Sequence, residues 1–420
     1  MKKAAIISLT IPEIPGKSGG EIRDIYMFEY IARNYITDYF SIHNFFGEGE
    51  IDSEFNSLFK HIYYPAMVNE QFHSMVDEAV NLTRFERLRY KLSLKGKYFP
   101  RQDMPAEILG FRNEFNRYIK KFFEKCAEQE KYDYVFICPQ VNPAIVENIV
   151  VPEHTRIIWA TYDVERVRHN RLLDTKVGKV NKWFYKFEID AAYKYETKAV
   201  TKCDGIIAVS ELDRKAFIKY YNLRNSKVLS IENGVDVDYF YPMESPMDLK
   251  IVFVGNMGYA PNEQATMYFV KDVFPRIVEK YPYAHFYAVG TNPSQELKNL
   301  ETENVVITGR VDDVRDYLKL AHVVCVPLLA GSGTKYKVLE AMACEKAVVT
   351  TSIGAEGLEV TNGENILIAD TSEDIANDIM KLFEDGDKCK ELGKRARQFI
   401  MGNHAWNVVL PKINNWIERL

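Results

Sequence analysis

Short apolar runs alternate along this chain with longer stretches in which apolar residues recur at three- and four-residue spacing, the pattern of strands alternating with helices. In the first half the runs Ala4–Leu9, Tyr39–His43, Tyr134–Cys138, Thr155–Thr161 and Gly205–Ser210 predict strands. Stretches 22–34, 142–149, 182–202 and 211–221 predict helices, the last capped by Ser210. A second alternation opens at Lys250–Gly255. It continues through a helix over 263–279, strands at 284–289 and 304–307, a helix over 312–320 and a valine-rich strand within His322–Leu328. A helix starting near Lys335 and a strand at Ala347–Thr351 follow, and helices near 374–383, 389–401 and 406–420 end the chain.

Strand–helix units in series predict an α/β fold with open parallel sheets. The turn Asn233–Pro242 and the proline-flanked stretch 243–248 mark an exit between two such series, so two βα domains with a cleft between them are expected, 1–245 and 246–403. Residues 53–130 depart from the alternation and read as a mostly helical insertion. Within it, 84–101 is basic and aromatic, with Glu86 its only acid. Such a segment either rests on an anionic membrane face, holding a lipid-linked substrate, or is a solvated helix face over the core.

Composition narrows the classes of function. The chain has 420 residues, 47% of them hydrophobic, enough for a core in each domain. A formal charge of −5 with both signs interspersed argues against nucleic acid as a partner. The 6 cysteines show no metal-ligand spacing and read as reduced core thiols. Lys2-Lys3 is followed by too short an apolar segment before Pro12 for a secretory signal, and no apolar run has membrane-spanning length, so a cytoplasmic protein is expected.

Candidate chemistry concentrates in 327–358. Gly331-Ser332-Gly333-Thr334 leads from a strand into a helix, so unpaired backbone N–H groups and the positive end of the helix dipole face whatever lies there, and a diphosphate would fit. Lys335 and Lys337 add positive charge. Glu340, six residues past Thr334 and so roughly 9 Å along the helix axis, can accept hydrogen bonds from a ribose diol. A capped helix with surface lysines is the plainer reading of the same residues. In the first half, Gly19 and Gly20 put another bare helix start, or simply a tight turn, after the first strand. Tyr162, Asp163 and Glu165 follow an apolar strand, where an open sheet binds ligands. Asp163 and Glu165 are candidates for acceptor contact or proton transfer, and Asp163 reads equally as a helix N-cap.

Three stretches in order, VFVGNMGYAPNEQA at 252–265, ITGRVDDVRDYLKLAHVVCVPL at 307–328 and GSGTKYKVLEAMACEKAVVTTSIGAEGL at 331–358, resemble the donor domain of the family 4 retaining glycosyltransferases, nearest to bacterial exopolysaccharide sugar transferases. The resemblance implies a GT-B fold of two facing Rossmann-like domains, with a C-terminal helix, within 404–420, crossing back to the first. It implies a metal-independent enzyme without a cofactor. Its donor, a nucleotide-sugar with UDP or GDP most expected, would be held by Gly255, Asn256, Arg310, Ser332, Gly333, Thr334, Lys335, Lys337 and Glu340. The acceptor, a glycan, lipid-linked or protein-linked, would meet Gly19, Gly20, Tyr162 and Glu165, with Asp163, Lys335 and Glu340 as the catalytic set. The protein would then work in the cytoplasm or at the inner membrane face.

Two departures stand out. The first Glu of the family's Glu, seven residues, Glu pattern falls on Ser332, and the loop Asn256–Asn262 lacks the usual Arg and Lys, leaving phosphate charge to Lys335, Lys337 or Arg310. Both losses keep a second reading open, a non-catalytic nucleotide-sugar-binding subunit. A nucleotide-sugar epimerase fits less well, because its chemistry needs several acid and base groups and His is scarce.

Overall fold

The computed structural model describes residues 1–9, 11–12, 14, 16, 19–41, 51–64, 122–138, 146, 149–164, 167, 193–244, 246–331 and 335–420. They form two compact units, Met1–Ile231 with Ile413–Leu420, and Glu232–Lys412. Segment 84–101, most of 142–149 and the start of 182–202 lie outside the described residues, as do Glu165, Ser332, Gly333 and Thr334.

The first unit is built on a 7-stranded sheet in the order β3-β2-β1-β4-β5-β6-β7. Its strands are β1 Lys3–Ser8, β2 Ile36–Ser41, β3 His61–Tyr63, β4 Tyr134–Ile137, β5 Arg156–Ala160, β6 Gly205–Ala208 and β7 Val228–Ser230. Every pairing is parallel. Strands buried on both faces read as continuous apolar runs, which is why AIIS, YVFI and IIWA were legible as strands. Two strands escape such reading. β3 lies within the stretch expected to be helical, and β7 has three residues. β3 is held at the sheet edge by tertiary contacts: buried Asp38 on β2 takes the Tyr132 hydroxyl at 2.6 Å and lies 3.0 Å from His61 Nδ1. Within 53–130 the described helical parts are Ser53–Ser57 and 122–130.

The second unit holds a 6-stranded sheet, β10-β9-β8-β11-β12-β13, again parallel throughout. Here β8 is Lys250–Val254, β9 His285–Val289, β10 Val305–Gly309, β11 Val323–Val326, β12 Ala347–Thr350 and β13 Leu367–Ile368. The chain runs from β8 outward through β9 to β10, returns to β11 beside β8, and runs outward on the other side through β12 to β13. The helix expected over 263–279 is interrupted: a π turn, Phe269–Val273, joins Ala260–Tyr268 to Phe274–Lys280. Pro275 has no N–H to continue the ladder.

The boundary expected near 245 falls at 231/232. Val235, Val237, Phe240 and Met243 are buried in the core of the second unit, and Arg397 donates to the carbonyls of Val237, Phe240 and Ala343. Stretch 243–248 is thus part of that unit, with Met243 N–H bonded to the Cys344 carbonyl at 3.2 Å.

The single helix expected from Trp406 to the end is two pieces, Trp406–Val409 and Lys412–Ile417, broken at Pro411. The break lets the tail join the first unit. Trp416 lies against Gly205, where a Cβ would stand 2.4 Å from its ring, and its Nε1 donates to the Ser226 carbonyl at 2.7 Å. Tyr35 donates to Asn414 at 2.8 Å. Trp416→Ala is expected to lower the stability of the first unit by about 2 kcal/mol, less than for a fully buried Trp. Urea unfolding would check this, and an unchanged midpoint would show that the tail contact contributes nothing.

Candidate functional site

In a parallel sheet all strands end on one edge, and the loops leaving two neighbouring strands in opposite directions open a crevice there. In the second unit that point lies between β8 and β11. The loop after β8 is fastened to the loop after β9: Gly255 N–H donates to Val289 at 2.9 Å and Met257 N–H to Thr291 at 2.8 Å. Gly290, at φ +149°, permits this approach, since a Cβ there would stand 1.8 Å from the Gly255 carbonyl oxygen. Asn256 closes the turn by accepting from Gly258 N–H at 3.0 Å.

From β11 the chain passes Gly331, at φ +134°, and enters the helix Tyr336–Ala343, whose N-cap Lys335 provides no side-chain cap. Lys335 is buried, and burial lowers its pKa, opposed by the charge of Glu356. A Cβ on Gly331 would lie 3.7 Å from its Nζ, so the lysine is packed beneath that turn. Lys337 reaches across to β8: its Nζ donates to Asn262 Oδ1 at 2.5 Å and lies 5.0 Å from the Phe253 ring centroid. Desolvation lowers its pKa to about 8, opposed by Glu340 and reinforced by Lys335. Glu340, half-buried one turn further on, is pushed up to about 7 by desolvation, against the pull of Lys337.

The structure therefore brings Gly255, Asn256, Lys335, Lys337 and Glu340 to one crevice. Arg310 stands apart. It follows β10, two strands from β8 and so roughly 10 Å away, and is exposed. Asn262 was not anticipated, although it shares a helix face with Thr266, Phe269 and Val273, all buried, so a polar group at that spacing is a signal.

In the first unit the Tyr162 ring lies on Gly20, where a Cβ would meet its Cζ and Oη at 3.0 Å. The Tyr162 hydroxyl donates to Asp24 Oδ2 at 2.6 Å. Asp24, 4% exposed, was also not anticipated; the adjacent charges Arg23-Asp24 between Ile22 and Ile25 were its trace in the sequence. Desolvation raises its pKa to about 7, opposed by the Tyr162 hydrogen bond and by Arg23, with Glu21 adding to the rise. Asp163 is exposed, and its backbone carbonyl accepts from Thr161 at 2.7 Å. Gly19 opens the helix Gly19–Asn34.

Residues 248–385 match the family model "Glycosyl transferases group 1". A Klebsiella pneumoniae protein described as an uncharacterized 44.6 kDa protein in the cps region is 25% identical over 296 residues, 68% of this chain and 74% of that protein. The Escherichia coli O-antigen biosynthesis glycosyltransferase WbnH is 24% identical over 209 residues, 48% of this chain and 57% of its own length. Among solved structures, Anabaena HepE in complex with UDP and glucose superposes over 100% of both chains with a TM-score of 0.63 at 14% identity, a likeness of fold. Fold and family match agree: the chain has GT-B architecture, and the match to the group 1 glycosyltransferase model falls within its second unit. Among the described residues no helix is long and apolar enough to cross a membrane.

Asp24 makes stability depend on pH. Its pKa rises from 3.8 to about 7 on folding, so the native state keeps a proton that the unfolded chain releases at lower pH, and its contribution falls as pH rises through that window. Asp24→Asn retains an oxygen for the Tyr162 hydroxyl. It should flatten this slope and raise stability at pH 8, relative to wild type, by on the order of 2–4 kcal/mol. Urea unfolding at pH 5 and pH 8 would measure both, and an unchanged slope would contradict a buried, destabilised carboxylate.

Proposed function

We propose that the protein is a retaining, metal-independent glycosyltransferase. It moves a sugar from a UDP- or GDP-sugar to a glycan or lipid-linked acceptor in the synthesis of a bacterial surface polysaccharide. The observation that carries this reading is the convergence of Lys335, Lys337 and Glu340 at the β8/β11 crevice, within the group 1 domain. The capsule-region and O-antigen descriptions of the relatives support the polysaccharide context.

The chemistry follows from charge. When the glycosidic bond to a nucleoside diphosphate breaks, negative charge grows on the leaving phosphate and positive charge on the sugar carbon. Ammonium groups and a helix N-terminus aimed at the phosphate lower that barrier. Lys335 and Lys337 supply the charge, and Gly331 to Lys335 leads into the helix start. Glu340, ionised, accepts from ribose hydroxyls. The acceptor would attack on the face the phosphate leaves, which takes the acceptor proton, with Gly20, Tyr162 and Asp163 on the acceptor side. Attachment to the inner membrane face through 84–101 belongs to the same reading.

A thermal-shift panel of UDP-, GDP-, ADP- and dTDP-sugars tests it. One nucleotide class at a hundredfold excess over Kd should stabilise the wild type by about 2.7 kcal/mol. Glu340→Ala should weaken that ligand at least tenfold, and donor hydrolysis in the absence of acceptor would separate an enzyme from a silent binding subunit. If no nucleotide-sugar shifts the wild type, the reading fails.

A further inference from the structure

The loop leaving β8, from Gly255 to Asn262, contains no Lys, Arg or His, so no side chain in it can neutralise an anion. A lysine reaches the place from another element. Lys337 is the second residue of the helix Tyr336–Ala343, yet its ammonium lies at the end of β8: a Cβ on Gly255 would stand 3.1 Å from Nζ, and the Phe253 ring centroid is 5.0 Å away.

What holds it there is Asn262. This residue is 5% exposed and its Nδ2 donates to the Asn256 carbonyl at 2.8 Å. That bond settles the amide orientation, because the reversed amide would set oxygen against a carbonyl and N–H against an ammonium. Oδ1 is thereby turned to Lys337, which donates to it at 2.5 Å. An amide partner fixes the position of an ammonium without cancelling its charge, whereas a carboxylate would neutralise it. Asn262 takes one N–H of the ammonium, which has three to give. In a desolvated crevice the charge acts at a lower effective dielectric constant than in water.

We infer that Asn262 is a positioning residue that holds the Lys337 ammonium over the end of β8, where it supplies, in place of a base on the β8 loop, the charge that meets the diphosphate of a nucleotide donor. This rests on the donor-site reading proposed above. The charged groups around Lys337 are Lys335 and Glu340 on its own helix; β8 contributes Phe253 and the helix Ala260–Tyr268 contributes Asn262. Burial brings its pKa down to about 8, with Lys335 adding to the fall and Glu340 opposing it, so the cation is present below that pH and lost above it.

Calorimetric titration with UDP and with uridine, and with GDP and guanosine, between pH 6.5 and 9.5 provides the test. The preference for diphosphate over nucleoside should fall at least tenfold in Lys337→Met, recover partly in Lys337→Arg, and fall several-fold in Asn262→Ala. In the wild type the preference should decline through pH about 8. Asn262→Asp, which pairs the ammonium, should weaken UDP binding and move that decline to higher pH, a change that a merely structural role for Asn262 would not produce. Lys337→Met leaves the Asn262–Asn256 bond in place, so it remains informative if Asn262→Ala fails to fold. A preference unchanged in Lys337→Met, or a pH decline unmoved in Asn262→Asp, would overturn the inference while leaving the donor site standing. Failure of every nucleoside diphosphate to bind the wild type would remove the donor-site reading and this inference together.

Discussion

Every strand pairing in both sheets is parallel, and the rest of the structure depends on that constraint. Parallel strands end on the same edge, so every loop that follows a strand within one unit emerges on one side, wherever it falls in the sequence. In the second unit this draws Asn256, Asn262, Lys335, Lys337 and Glu340 together, although 84 residues separate the first from the last. In the first unit it draws Gly20, Asp24 and Tyr162 together by the same means, from the ends of β1 and β5.

Both clusters contain ionisable groups that folding disfavours in their charged forms. Asp24 and Glu340 are pushed up and Lys335 and Lys337 down, desolvation being the largest cause each time. Apolar residues of similar size would stabilise these places more, so a role outside stability is the natural account of such groups where they gather in a crevice. Buried ionisable groups occur elsewhere with other meanings. Lys346, whose Nζ lies within 3.5 Å of the Lys319 and Ala321 carbonyls, ties backbone segments together.

Resemblance pointed to the stretch that matches the group 1 model, because its motifs are local: a strand, a turn and the first turn of a helix are contiguous in sequence. The doubly wound topology was legible too, since strands buried on both faces leave uninterrupted apolar runs such as KIVFV and AVVT. What escaped were pieces too short to show a period, β3, β7 and β13, and the place where one unit ends. Segment 232–243 reads as an exit because it is rich in turn residues. Its Val235, Val237 and Phe240 nevertheless fill the second core, and only the packing reveals it.

By itself, then, the sequence determined the fold class, the order of the longer strands and helices, the glycine turns and the identity of Lys335, Lys337 and Glu340 as candidates, because each of these is written in neighbouring residues. The tertiary structure alone decided that Lys337 belongs to the end of β8 through Asn262, that Asp24 rather than a strand-end acid is the buried carboxyl beside Tyr162, and that the tail beyond Pro411 joins the first unit. These are pairings between residues distant in the chain, made when burial removes water and leaves each polar group to find a partner in the fold. Local periodicity carries no record of which partner that will be.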